Sequence, residues 1–193
     1  MRVVGFVGSP RRQGNTAILV NEVLRGVRES GAETRVFYLN EMNIKGCQGC
    51  RSCKKPGAVC VQKDDMAAMY NEIKEADAVV IGTPVYFCQM SGQTKIFVDR
   101  LYAFLNADFT HKLGEKKKTV MIYSQGQPKP DMFQQSFDLN KGILSLVGLK
   151  IKETILAAGN RKIDDVLGNQ DIMEKAYNAG KSLNMKNDEK RPG

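Results

Sequence analysis

Apolar positions along the chain alternate between two periods. Residues 3–7 form a short continuous apolar run that stops at Gly8, whereas residues 16–29 place Ile18, Leu19, Val23 and Val27 on one helical face. The same exchange repeats to the end. Residues 35–39, 78–82, 119–123 and 151–157 read as strands. Between them, helices are predicted after Asp64 or Asp65, after Ser91, over 133–147 and over 171–183. The helices carry inward stripes: Met66, Met69, Tyr70 and Ile73 in one, and Phe97, Leu101, Phe104 and Leu105 in the next. Phe133, Phe137 and Leu144 form the third. Five apolar strands alternating with amphipathic helices predict an α/β domain, a doubly wound five-stranded parallel sheet with helices on both faces. The assumed strand order is 2-1-3-4-5. Ligands of such sheets lie at the carboxyl ends of the strands, near the switch point between strands one and three. Two stretches interrupt the rhythm, 43–63 and 83–90, and function is expected there.

Composition changes this picture little. The chain has 193 residues, 42% of them hydrophobic, enough for one core. No run approaches the roughly 18 apolar residues of a membrane span, and the first residues lack a signal core and cleavage site. A cytoplasmic protein is expected, with no membrane partner. The formal charge of +8 is spread out, with Lys116-Lys117-Lys118 the tight run. That spread favours a solvated basic surface over a nucleic-acid footprint, so no nucleic-acid partner is expected. The field could still steer phosphorylated nucleotides or small acidic electron carriers. A single domain over 1–185 is predicted, with a cysteine-rich insertion at about 43–63 and a flexible tail at 186–193.

The loop Gly8-Ser9-Pro10-Arg11-Arg12-Gln13-Gly14-Asn15-Thr16 joins strand to helix. Small residues let backbone N–H groups turn inward at a helix N-terminus, a setting that binds phosphate. Ser9, Asn15 and Thr16 add short donors, and Arg11 or Arg12 adds charge. A Walker loop needs four residues between its glycines followed by Lys, and here five are followed by Asn15. The Gly-x-Gly-x-x-Gly dinucleotide fingerprint is absent as well. A single phosphate group fits better. After strand three, Thr83-Pro84-Val85-Tyr86-Phe87 is a stiff aromatic loop suited to a planar ring.

Four of the five cysteines, Cys47, Cys50, Cys53 and Cys60, lie within fourteen positions. In a cytosolic setting this density points to metal or redox chemistry. Cys-x2-Cys-x2-Cys can wrap one corner of a cubane and leave the last iron to a fourth thiol. Zinc, a labile disulfide and idle thiols remain alternatives. Lys45, Arg51, Lys54 and Lys55 would offset the charge of a thiolate-bound cluster. Cys88 reads as a small buried hydrophobe, and the lone His111 as a solvated residue.

The motifs Gly8-Ser9-Pro10-Arg11 with Gly14-Asn15-Thr16, Ala76-Asp77-Ala78 into Thr83-Pro84-Val85-Tyr86, and Lys95-x-Phe97-x-Asp99-Arg100 resemble the NAD(P)H-dependent FMN reductase group of the flavodoxin superfamily. The resemblance implies a flavodoxin-like fold. It implies that Ser9, Arg11, Gly14, Asn15 and Thr16 hold the FMN phosphate, and that Pro84, Val85, Tyr86 and Phe87 line the isoalloxazine. A third flavin loop would be Ser124-Gln125-Gly126. The cysteine spacing resembles the iron–sulfur flavoprotein branch, which carries FMN and a [4Fe-4S] cluster. This implies electron transfer between cluster and FMN, with ferredoxin or another carrier as partner and a homo-oligomer, dimer or tetramer. With strand two flanked only by strand one, the cysteine loop and the ring loop are expected on opposite sides of the phosphate loop. The cluster is therefore expected to serve a neighbouring subunit's flavin. The other readings are an NAD(P)H-dependent FMN or quinone reductase without a cluster, and a flavin-bearing redox sensor. No general acid, base or nucleophile is evident, so no catalytic side chain is assigned.

Overall fold

The structure is a computed structural model describing residues 1–184. The tail expected at 186–193, and Met185 at the end of the expected domain, lie outside the described residues. Strands β1 (Arg2–Val7), β2 (Glu33–Tyr38), β3 (Ala78–Tyr86), β5 (Lys117–Ser124) and β6 (Leu149–Ala157) pair in parallel in the order β2-β1-β3-β5-β6. Among these five the order is the assumed 2-1-3-4-5. A sixth strand, β4 (Gln89–Met90), was not expected, and it pairs antiparallel with the end of β3.

Side chains of successive strand residues point to opposite faces, which divides the core in two. Val4, Phe6, Val79, Ile81 and Met121 face helices α2 (Met66–Glu75), α3 (Gly92–Arg100) and α4 (Gln134–Leu146). Val3, Val7, Val80, Val120 and Ile122 face α1 (Asn15–Glu29) and α5 (Gln170–Leu183). The stripes read from the sequence are buried: Met66, Met69, Ile73, Phe97 and Leu101 are fully enclosed. Phe97 lies 4.5 Å from Phe6, ring centroid to centroid, an enclosed aromatic contact at the centre of this layer. Helices α1 and α5 cross closely at two glycines. A Cβ on Gly26 would sit 2.1 Å from the Tyr177 carbonyl oxygen, and one on Gly180 2.0 Å from that of Val23.

Ser91 caps α3 as its position suggested, its Oγ accepting from Thr94 N–H. The helix tightens into a 3-10 turn over Leu101–Phe104, so Leu105 is buried beyond it. At α2, Asp64 accepts from Met66 N–H, while Asp65 accepts from Asn43 N–H instead of capping. His111 is half-buried against Gly148, not a solvated residue. Among the described residues no helix is long and apolar enough to cross a membrane.

Candidate functional site

The loop after β1 rises from the centre of the sheet. Gly8 must be glycine, since a Cβ there would fall 1.7 Å from Thr94 Oγ1. Its carbonyl accepts from Ser91 Oγ at 2.6 Å, which ties the loop to the N-terminus of α3. Ser9 is buried, and its Oγ accepts from Arg11 N–H at 3.1 Å. Gly14 N–H donates to the Arg11 carbonyl and Gly14 then becomes the N-cap of α1, offering no side-chain acceptor. The first-turn amides of α1 have no intrahelical partner, so an uncapped helix end lies at the carboxyl edge of β1. Arg11 is exposed.

Two of the predicted phosphate donors are engaged in holding loops together. Asn15 donates to the Lys162 carbonyl at 2.6 Å and accepts from Val166 N–H at 3.0 Å. Thr16 Oγ1 lies 2.7 Å from Ser124 Oγ, a buried hydrogen bond joining the first flavin-type loop to the third. Both side chains thereby fix the loops to one another.

The stiff aromatic segment predicted after strand three is largely strand. Pro84 and Val85 continue β3, with Pro84 buried and in register with Ser124 of β5. Tyr86 and Phe87 stand out at the tip of the β3–β4 hairpin, where Phe87 and Cys88 have φ of 46° and 66°. Two consecutive left-handed residues suit a two-residue hairpin turn, and neither is glycine, so local strain is stored beside the site. Cys88 is exposed at this turn, against the expectation of a buried hydrophobe.

Gln125, just past β5, donates its amide N–H to the Lys129 carbonyl, while its Oε1 is buried with no hydrogen-bond partner. It opens onto a cleft of about 460 Å³ that also contains Val85, Phe87, Gly126, Phe133 and Arg161. The cleft thus gathers residues of the second and third predicted loops, and hydrogen bonds link the first loop to its floor. Phe133 and Arg161 were not foreseen. The signal that could have found Arg161 is the Ala158-Gly159-Asn160 turn at the carboxyl end of the last strand, where ligands of such sheets are met.

The cysteine loop is closed at its base by a buried ion pair. Arg100 and Asp64 are each 1% exposed, with Nη1 2.5 Å from Asp64 Oδ2 and Nη2 3.1 Å from Oδ1. Arg100 also donates to the Lys45 carbonyl, and its Nη2 lies 3.5 Å from Cys60 Sγ. Burial pushes the Asp64 carboxyl up, but hydrogen bonds from Arg100 and Lys45 N–H hold it below the usual carboxylate range. Two lysines draw the loop onto the 3-10 turn. Lys54 donates to the carbonyls of Tyr102 and Leu105, and Lys112 to those of Cys53 and Ala58. Lys54 is therefore an anchor and not a free counter-ion.

The thiols differ in burial. Cys47 and Cys50 are exposed, Cys53 is packed into the core and Cys60 is half-buried. Among the described residues no three His, Cys, Asp or Glu side chains converge as a metal site. The predicted ligand set Cys47, Cys50, Cys53 and Cys60 is thus confined to one loop but not gathered at one point. Its donor chemistry suits iron–sulfur ligation. The neighbouring Ser52 N–H and hydroxyl hold the Cys50 thiol below its usual range. Nor does the loop stay beyond β2: Cys47 shares a groove with Met90 and Lys95, next to the ring hairpin.

Residues 1–139 match the family described as NADPH-dependent FMN reductase. The chain belongs to the NADPH-dependent FMN reductase family. Within this setting it is similar to an iron–sulfur flavoprotein of Methanocaldococcus jannaschii, 42% identical over 100 residues, 52% of this chain and 51% of the relative. It is also similar to an iron–sulfur flavoprotein of Archaeoglobus fulgidus, 36% identical over 131 residues, 68% of this chain and 58% of the relative. The chain spans about half the length of these curated relatives. A solved NAD(P)H:quinone oxidoreductase from Methanothermobacter marburgensis superposes with a TM-score of 0.74 at 18% identity, over 96% of this chain and 98% of that one. At that identity the likeness is one of fold, and the flavodoxin-like order of this reductase-family sheet agrees with it.

Proposed function

We propose that the chain is an FMN-binding oxidoreductase whose flavin sits at the carboxyl ends of β1, β3 and β5. The observation that carries this reading is the juncture of an uncapped helix N-terminus with a cleft holding an orphaned acceptor. The first suits a monophosphate. Gln125 Oε1, in the second, suits an N–H donor such as a flavin ring presents. Ser9, Arg11 and Gly14 shape the phosphate loop, and Asn15 and Thr16 brace it. Pro84, Val85, Tyr86 and Phe87 form one wall of the ring site, and Ser124, Gln125 and Gly126 its floor. FMN supplies the transfer of one or two electrons; the chain supplies position, charge and exclusion of water.

In this proposal Cys47, Cys50, Cys53 and Cys60 hold a [4Fe-4S] cluster, supported by their spacing and by the names of the relatives. An acidic carrier such as ferredoxin then exchanges electrons with a homo-oligomer in the cytoplasm. The exposed stripe of Leu139, Ile143 and Leu146 along α4 supports self-association. The second reading, an NAD(P)H-dependent FMN or quinone reductase without a cluster, is favoured by the scattered thiols. Anaerobic purification with iron, sulfide, zinc and FMN analysis separates the two. About four iron and four sulfide per chain support the first. FMN without iron, together with rapid reduction by NADPH, establishes the second, and a chain that retains no FMN overturns both.

A further inference from the structure

The site has a fourth wall beyond the three loops that the sequence suggested. After β6 the chain turns at Gly159, and its backbone is stitched to the rest of the site. Gly159 N–H donates to the Gln127 carbonyl and Asn160 N–H to that of Gln125. Asn15 grips Lys162 and Val166 from the phosphate loop. The Asp165 carboxylate accepts from the N–H groups of both Arg161 and Lys162, at 2.7 and 2.6 Å. These contacts fix the Arg161 backbone from three directions. Its side chain, by contrast, makes one long hydrogen bond among the described residues, Nε to the Gly126 carbonyl at 3.4 Å. Among the described residues, Arg161 is also the one charged residue lining the cleft. A guanidinium held at the mouth of an aromatic cleft, beside a buried acceptor lacking a donor, forms a complementary pair of recognition groups.

We infer that Arg161 sets the reduction potential of the flavin in this cleft, an assignment that rests on the FMN reading above. Hydride from NAD(P)H would bring two electrons and one proton to a flavin held here, leaving NAD(P)+ and adding one negative charge to a previously neutral ring. Arg161 supplies the cation that balances this charge, and Gln125 Oε1 accepts from the ring N–H in either redox state. The cation therefore favours reduced over oxidised flavin. The guanidinium is exposed, so solvent limits the preference to about fivefold.

The test uses the full chain loaded with FMN, titrated anaerobically with dithionite against a reference dye and followed by flavin absorbance. The affinity for oxidised FMN is measured alongside by fluorescence. Arg161→Gln should leave the affinity for oxidised FMN nearly unchanged and weaken that for reduced FMN about fivefold. This lowers the two-electron midpoint by about 20 mV, since tenfold corresponds to roughly 30 mV. Arg161→Lys keeps the charge and should stay near the wild-type potential. Lys150→Gln, at the opposite end of β6, removes the same net charge and should also leave it unchanged. A midpoint for Arg161→Gln equal to that of Lys150→Gln overturns the assignment, as does an equal fall for Arg161→Lys. Wild-type chain that binds no FMN instead overturns the underlying reading, and this inference with it.

Discussion

Asp64→Asn isolates the contribution of the ion pair under the cysteine loop. The change keeps the shape of the side chain but removes its charge, leaving Arg100 buried beside a neutral amide. Arg100 and Asp64 are each only 1% exposed, and the Arg100 Nε already lacks a partner. Removing one member of a buried pair costs about 3–5 kcal/mol. For a chain of this size each kcal/mol lowers Tm by roughly 2–4 °C, so the expected loss at neutral pH is about 6–20 °C. The dependence on pH carries a sign. An unfolded Asp titrates near 3.9, and the folded Asp64 lies below it. Above about pH 5 the carboxylate is charged in both states and its contribution is fully present. As pH falls through the folded value, the native state must take up the proton and the contribution is lost. Calorimetry of both proteins from about pH 7 down to about pH 2.5 should therefore show a Tm gap that closes on acidification. A gap below about 3 °C at neutral pH, or one that stays constant into acid, would refute the reasoning.

Other consequences are equally direct. Thr16→Val removes the hydrogen bond to Ser124, worth about 1 kcal/mol, and should weaken FMN binding roughly fivefold in a fluorescence titration. Gly8→Ala drives a methyl group into Thr94 and should abolish FMN retention, with Tm falling by several degrees or more. The Tyr123 hydroxyl is buried next to Asn140 without hydrogen-bonding geometry, and burial pushes its pKa up to about 12. Tyr123→Phe should accordingly leave Tm unchanged or raise it, and a loss above about 1 kcal/mol in urea unfolding would reveal a partner not described here. Cys50→Ser should eliminate iron from anaerobically purified protein while FMN stays bound; joint loss of both would assign the loop a role in shaping the flavin site.

What could be read from the sequence follows the range of the forces involved. The strands and helices were legible because burial imposes a period on neighbouring residues, as with Phe97 and Leu101 or Val3 and Val7. Ser91 was legible as a cap because its partner, Thr94, is three residues away. The β3–β4 hairpin was not, since Phe87 and Cys88 occupy left-handed positions that usually announce themselves as Asn or Gly. Arg100 reads as one more charge at a helix end, and only the tertiary fold reveals that it is closed away with Asp64. The four thiols marked a functional loop by spacing alone. Spacing could not show that Lys54 and Lys112 would tie that loop to the 3-10 turn beyond α3.

The order in which the phosphate loop acquires its supports has a consequence for how the protein is made. Asn15 stands at the head of α1, yet both of its partners, Lys162 and Val166, follow about 150 residues later. The side of α1 that carries Gly26 is likewise met by α5. A ribosome that has finished the first strand and helix has therefore built a loop that nothing yet holds in place. Flavin loading is accordingly a late event, coming after nearly all of the described chain has been synthesised, and nascent fragments ending before α5 leave the Gly26 side of α1 uncovered.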